Sequence, residues 1–325
     1  MIRRAFAALL ILPFAGPVLA EVFSLSLPLD CDLGSTCRIQ QYVDRDPGPG
    51  AQDYRCAALS YDGHKGTDFA IPTLKDIEDG VVVRAAAPGR VMGARDGMPD
   101  TGYSPATAAG LVGRECGNGV RIDHGEGWQT QYCHMRRGSV SVSAGDMVDT
   151  GTALGEVGQS GKAEFPHLHL SVTRHGEVID PFAPDQRAGC FLNGTGDDPG
   201  LWAEMPAYRS GGLIAVGLMD SIPDYADVKA GTVARSSLPA DAPSLVVYGY
   251  MFGTRVGDRL HLSIEGPEGT VLSHDMTLED QHALSFQARG LRGKGLWPSG
   301  QYNGHATLYR GDRMLGSLAT DLQIP

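Results

Sequence analysis

Past its first twenty residues, the chain has no apolar run near the ~20 residues that a membrane-spanning helix needs. It also lacks clustered lysine and arginine. Its formal net charge is −11 at pH 7, which excludes the basic surface that a nucleic-acid partner requires. No internal repeat is visible, and residues 61–182 show no helical periodicity. What replaces helix signal is glycine, at 44 of 325 residues, which favours turns and short strands. The expectation is a mostly β chain, long enough for two domains.

Residues 1–20 read as a signal peptide. Arg3 and Arg4 precede the apolar run Ala5–Leu12, and Val18-Leu-Ala20 places small residues where a signal peptidase cuts. Pro13 breaks the run, so it is no span, and no membrane segment is expected once it is removed. Six cysteines follow, all before residue 191. An even count in an exported chain reads as a disulfide framework. Cys31–Cys37 would close a short local loop. Cys116 and Cys133 lie at similar levels of a hairpin turning near Glu126, and Cys56–Cys190 completes the set.

The expected organisation is a loop-rich segment over 21–60, a first domain over 61–192, a linker over 193–205 and a second domain over 206–325. In the first domain, Val81–Ala87, Gly89–Ala94, Gly119–His124 and Trp128–His134 read as short strands. The last two form a hairpin, with Trp128, Thr130, Tyr132 and His134 on one face of the second arm. Asp96–Arg114 reads as a long loop at the cleft. The linker contains Asp197-Asp198 and should tie the two domains only loosely. Seven strand-like runs between Gly212 and Leu322, each ended by a turn signal, suggest an Ig-like β-sandwich. Its histidines have no ligand spacing, so this domain should position the first one and carry no chemistry, with its surface open to a protein partner.

The chemistry concentrates in Phe165-Pro-His-Leu-His-Leu-Ser-Val172. On a strand, His167, His169 and Ser171 share one face, while Leu168, Leu170 and Val172 share the other. His64-Lys-Gly-Thr-Asp68 adds an imidazole and a carboxylate four residues apart. Catalytic zinc sites take three such ligands and keep a position for water. Spacing leaves open which of His167 and His169 would bind, since both point the same way. No His-Glu-x-x-His arrangement is present, so imidazoles would have to act as the base.

Taken with Gly119-Val-Arg-Ile-Asp-His-Gly125, Tyr132-Cys-His134, Gly145-Asp-Met-Val148, Gly151-Thr-Ala-Leu-Gly155 and Asp180-Pro181, these motifs resemble the lysostaphin- and LytM-type zinc metallopeptidases over about residues 61–182. The resemblance implies a LytM-type β-sheet domain that cuts peptide bonds in peptidoglycan. It implies one Zn2+ per chain, held by His64, Asp68 and His169, with His134 and His167 as catalytic residues. The substrate would be cross-linked stem peptides, cut at D-Ala–diaminopimelate, in a periplasmic or secreted setting. Two other readings compete. One is a non-enzymatic LytM-like activator of cell-wall amidases, which would be free to lose a ligand. The other is a zinc carboxypeptidase, or a peptidase acting on proteins outside the wall. Thr73–Asp79 stands as an insertion relative to the family pattern and, like the Asp96–Arg114 loop, could reshape the cleft. His124 is expected to be structural.

Overall fold

A computed structural model describes residues 23–185, 189–190 and 200–325. The expected signal peptide and Asp197-Asp198 lie outside these residues. No described helix is long and apolar enough to cross a membrane.

The first unit is built on one antiparallel sheet. Its strands are β1 (Arg38–Gln41), β2 (Thr67–Ala70), β4 (Gly89–Arg95), β5 (Asn118–Gly125), β6 (Trp128–Met135), β7 (Met147–Val148), β9 (His167–Arg174) and β10 (Glu177–Val178). They run in the order β1-β2-β9-β6-β5-β4-β7, with β10 also on β9. Strands β3 (Val82–Arg84) and β8 (Ala153–Glu156) pair separately. Alternation explains the sheet's two faces. Leu168, Leu170 and Val172 on β9, Thr130 and Tyr132 on β6, and Val120 and Ile122 on β5 are all buried. The opposite face is left to the polar residues of the same strands.

That apolar face needs more cover than residues 61–192 provide. Leu25, Leu29, Tyr42, Tyr54 and Leu59 supply part of it. The segment expected to be loop-rich therefore also contributes β1 and a share of the core. Trp202 supplies the rest, its ring 5.3 Å from Phe182 and 6.1 Å from Phe69. Leu25 donates its N–H to Leu201 O at 2.7 Å and accepts one from Ala203 at 2.9 Å. A domain end at 192 and a linker running to 205 thus cut through a packed unit.

The seven expected strands of the second unit all form: β11 (Gly212–Met219), β12 (Ser244–Thr254), β13 (Arg259–Gly266), β14 (Gly269–Thr277), β15 (His282–Arg292), β16 (Gly300–Arg310) and β17 (Arg313–Ile324). They make a β11-β12-β15 sheet and a β14-β13-β16-β17 sheet. Leu245, Val247 and Met251 of the one meet Leu260, Leu262, Ala306 and Leu308 of the other. This is a two-sheet sandwich with alternating inward residues. The outer face of β12, with Val246, Tyr248 and Tyr250, packs with Val228 of helix α2 (Tyr225–Ala230).

The tie between the units is firmer than the acidic linker suggested. Within Thr73–Asp79 the chain makes a single helical turn, α1 (Asp76–Asp79), after Thr73 N–H and Oγ donate to Asp76 Oδ2. Leu74 and Lys75 then donate their N–H groups to Lys229 O and Ala230 O, each at 3.1 Å. Gln40 Nε2 donates to Ala283 O at 2.7 Å, and the Arg38 guanidinium lies 5.5 Å over the Phe252 ring. The apparent insertion is a docking point for the second unit.

All three expected disulfides form: Cys31–Cys37, Cys56–Cys190 and Cys116–Cys133. The last closes a separation of 17 residues. Replacing both of its cysteines by serine should lower stability in urea by about 3 kcal/mol. An unchanged midpoint would show that the bridge constrains nothing.

Candidate metal centre

Strand β2 sets Asp68 directly opposite His169 on β9, and β9 sets His169 opposite Cys133 on β6. Paired residues in an antiparallel sheet share a face, so Asp68 and His169 meet without any loop in between. His64 arrives from the turn before β2, where its own N–H donates to Tyr61 O. Three atoms converge. His64 Nε2 is 3.2 Å from both Asp68 Oδ1 and His169 Nδ1, and His169 Nδ1 is 2.8 Å from Asp68 Oδ1. Among the described residues, these three form the cluster whose ligand atoms could hold one metal ion. Tetrahedral zinc with ligands at ~2.0–2.1 Å sets its ligands about 3.3 Å apart, so the triangle has the right size and donor chemistry.

The ligand atoms are fixed by what lies behind them. His64 Nδ1–H donates to Tyr42 O at 2.6 Å. A carbonyl only accepts, so the proton is on Nδ1 and the lone pair of Nε2 faces Asp68. His169 Nε2 lies 3.0 Å from Ser171 Oγ, leaving Nδ1 towards the cluster. Burial alone would raise the Asp68 carboxyl. The imidazoles of His64 and His167, with hydrogen bonds from His169 and His64, outweigh it and hold the group well below the usual carboxylate range.

Two more imidazoles face the cluster. His167 Nε2 is 3.5 Å from Asp68 Oδ1, and the His134 and His167 rings are 4.7 Å apart. Each has Nδ1–H tied to a carbonyl, His167 to Phe165 O and His134 to Ser160 O, both at 2.8 Å. Both Nε2 atoms are therefore lone-pair donors. Burial pushes both rings below the ordinary histidine range, and neighbouring imidazoles add to this for His134. At neutral pH both are uncharged and able to accept a proton.

His134 reaches the cleft by a route that strict alternation does not foresee. Alternation puts it with Trp128, Thr130 and Tyr132, and Tyr132 pairs with core-facing Leu170. The backbone at His134 instead takes a φ of 64°, and the β5–β6 register shifts just before it. Such a bulge re-aims a side chain. The expected four-residue face thus holds for Trp128, Thr130 and Tyr132 only. His124 is structural as expected, bound between Pro88 O at 2.6 Å and Thr130 Oγ1 at 2.8 Å. Tyr61 lies against the His64 ring at 4.4 Å. The Asp96–Arg114 loop is pinned beside the cleft. Asp96 accepts from Gly138 and Val140 N–H, and Asp100 accepts from Arg137 and Gln159 N–H.

Sequence reasoning missed the supports: the carbonyls of Tyr42, Ser160 and Phe165, and the Ser171 hydroxyl. Only Ser171 carried a signal, as the next residue on the face of His167 and His169.

An imidazole–carboxylate triad of the donor types that hold a divalent metal thus stands beside two neutral imidazoles. Residues 62–181 match the model of Peptidase family M23. An uncharacterized metalloprotease of Buchnera aphidicola subsp. Baizongia pistaciae is 28% identical over 121 residues, covering 36% of this chain and 25% of the relative. The DD-carboxypeptidase/endopeptidase Mpg of Neisseria meningitidis serogroup B is 32% identical over 118 residues, covering 36% and 22%. The chain thus spans a quarter or less of the length of these relatives. The catalytic domain of lysostaphin from Staphylococcus simulans superposes with a TM-score of 0.29 at 22% identity, over 43% of this chain and 86% of that one.

Proposed function

We propose that the chain is an exported zinc endopeptidase that hydrolyses the peptide cross-links of bacterial peptidoglycan, at D-Ala–diaminopimelate. The observation that carries this is the convergence of His64 Nε2, Asp68 Oδ1 and His169 Nδ1, with two neutral imidazoles on the same cleft. The intact triad also favours an enzyme over an amidase activator. Residues 1–20 as a signal peptide, together with three disulfides, agree with a periplasmic or secreted setting.

Zinc held by His64, Asp68 and His169 would supply Lewis acidity and a water that loses its proton near neutral pH. The other work falls to the chain. Nε2 of His134 or His167 takes the proton of the attacking water. The protonated imidazole then donates to the oxygen that gains charge, or to the leaving nitrogen. The carbonyls of Ser160 and Phe165 keep both rings in the tautomer this needs.

The test is mass spectrometry of muropeptides released from purified sacculi by the zinc-loaded and the chelated chain. Zinc-dependent conversion of dimers to monomers is expected, and dimers left intact would sink the reading. His134→Ala should lower kcat about 10²–10⁴-fold with zinc still bound. Because burial lowers the pKa of His134 and His167, both stay neutral below the ~6.5 of free histidine. The acid limb of kcat/KM, measured at saturating zinc, should therefore fall below that value. A limb above it would show that another group sets the profile.

A further inference from the structure

The cleft face of the sheet continues past the metal centre. Opposite residues on successive strands carry it sideways: Ser171 on β9 faces Gln131 on β6, Gln131 faces Arg121 on β5, and Arg121 faces Gly93 on β4. One row along, Gly119 faces Arg95. A cavity of about 430 Å³ opens there, lined by Gly93, Arg95, Cys116, Gly119, Arg121 and Gln131. It adjoins the catalytic centre, since Cys116 O accepts the backbone N–H of His134 at 2.8 Å.

Gly119 and Gly93 are among its lining residues. Gly119 lies so close to the neighbouring strand that a Cβ would sit 2.2 Å from Tyr132 O. At Gly93 a Cβ would meet nothing within 4 Å, so a larger side chain there has room beside the cavity.

Charge singles out Arg121. The chain is strongly acidic overall, so it repels anionic peptides except where cations gather. Arg95 is turned to Gly117 O through Nε, and with Lys162 it lies in the field of Glu115 at the rim. Asp123, two residues along the strand from Arg121, faces Arg90 in the register and accepts from Gly125 N–H. Arg121 stands exposed on the cavity beside Gln131. Strands lie ~4.8 Å apart and an extended peptide rises ~3.3 Å per residue. Arg121, two strands from β9 and two residues along from His169, is therefore reached about three to four residues from the bond being cut.

We infer that this cavity is a specificity subsite in which Arg121, with Gln131 beside it, binds a free carboxylate of the substrate peptide about three to four residues from the scissile bond. The inference rests on the peptidase reading above. A guanidinium offers a carboxylate two parallel N–H donors, and an adjacent amide donor completes the shell.

The test uses the full chain, zinc-loaded, on two cross-linked tetrapeptide dimers that differ only in whether their side carboxylates are free or amidated. The wild-type chain should show a KM about two- to fivefold lower for the free-carboxylate dimer, the scale of an exposed ion pair. In Arg121→Glu that ratio should vanish or reverse. In Gly93→Leu, which fills the cavity without touching charge, KM for the free-carboxylate dimer should rise. Circular dichroism and zinc content establish that both variants fold. A Kd for the free-carboxylate dimer, measured on the metal-free chain so that no turnover occurs, should weaken by the same factor. If Arg121→Glu keeps the wild-type KM ratio and Kd, the subsite is elsewhere. If the wild-type chain cuts neither dimer, it is the peptidase reading that fails.

Discussion

His169→Ala should leave a desalting column free of zinc and without turnover, whereas His167→Ala should keep one zinc per chain and lose kcat. The two imidazoles sit two residues apart on one strand face, and their backbone surroundings give them different tasks. His169 turns Nδ1 to within 2.8 Å of Asp68 Oδ1, so removing it opens a three-ligand triangle to two. His167 has its Nδ1 committed to Phe165 O and its Nε2 at 3.5 Å from Asp68 Oδ1, on the fringe of the triangle. Its loss should cost about 10²–10⁴ in kcat, the range for a positioned general base. Ser171→Ala makes an intermediate case, weakening metal affinity about 10–100-fold through loss of the partner that orients His169. Metal analysis decides the matter. Equal zinc in His169→Ala and His167→Ala would overturn the division between them.

A chain ending at Cys190 should fail to fold, although every predicted catalytic and ligand residue lies before that point. Trp202 is buried against Phe69 and Phe182, and its neighbours Leu201 and Ala203 hydrogen-bond Leu25 across the bottom of the core. Replacing one buried tryptophan by alanine costs about 3–5 kcal/mol, against a total stability of about 5–15 kcal/mol for a typical domain. Truncation removes the tryptophan and both main-chain bonds together. Trp202→Ala in the full chain is the milder version and should lower the melting temperature of the first unit while sparing the second. Should the chain ending at 190 melt like the intact protein, residues 200–208 are no part of the first core.

Much of this was legible in the residues. The alternation of Leu168, Leu170 and Val172 against His167 and His169 placed the imidazoles on an open face. The short loop between Cys31 and Cys37 and the hairpin near Glu126 foretold two disulfides. The seven strands of the sandwich each carried turn signals, and all seven formed. The failures share a physical cause. A period-2 pattern describes a regular strand, so it put His134 on the wrong face, because the change at that residue is a single left-handed dihedral. The partners of His64, His134 and His167 are carbonyl oxygens, which every residue has, so no side-chain type announces them. Trp202 and the Thr73–Asp79 turn act through contacts far away in sequence. Composition around the Asp-Asp pair described only the connector, while the bonds that dock the two units come from Gln40, Leu74 and Lys75.

Those carbonyl partners bear on how the centre tolerates sequence drift. Three of its four imidazoles take their tautomer from main-chain oxygen, and no substitution at Tyr42, Ser160 or Phe165 deletes that atom. Side-chain changes there leave the protonation pattern in place, but packing holds Tyr42 in the core and hydrogen bonds hold Ser160 between Asn118 N–H and Met135 O, so of the three only Phe165 should look variable. Ser171 is the exception, since its support is a side-chain hydroxyl. Directed evolution that seeks to retune this centre has a single-letter handle at residue 171, and elsewhere must move the backbone itself.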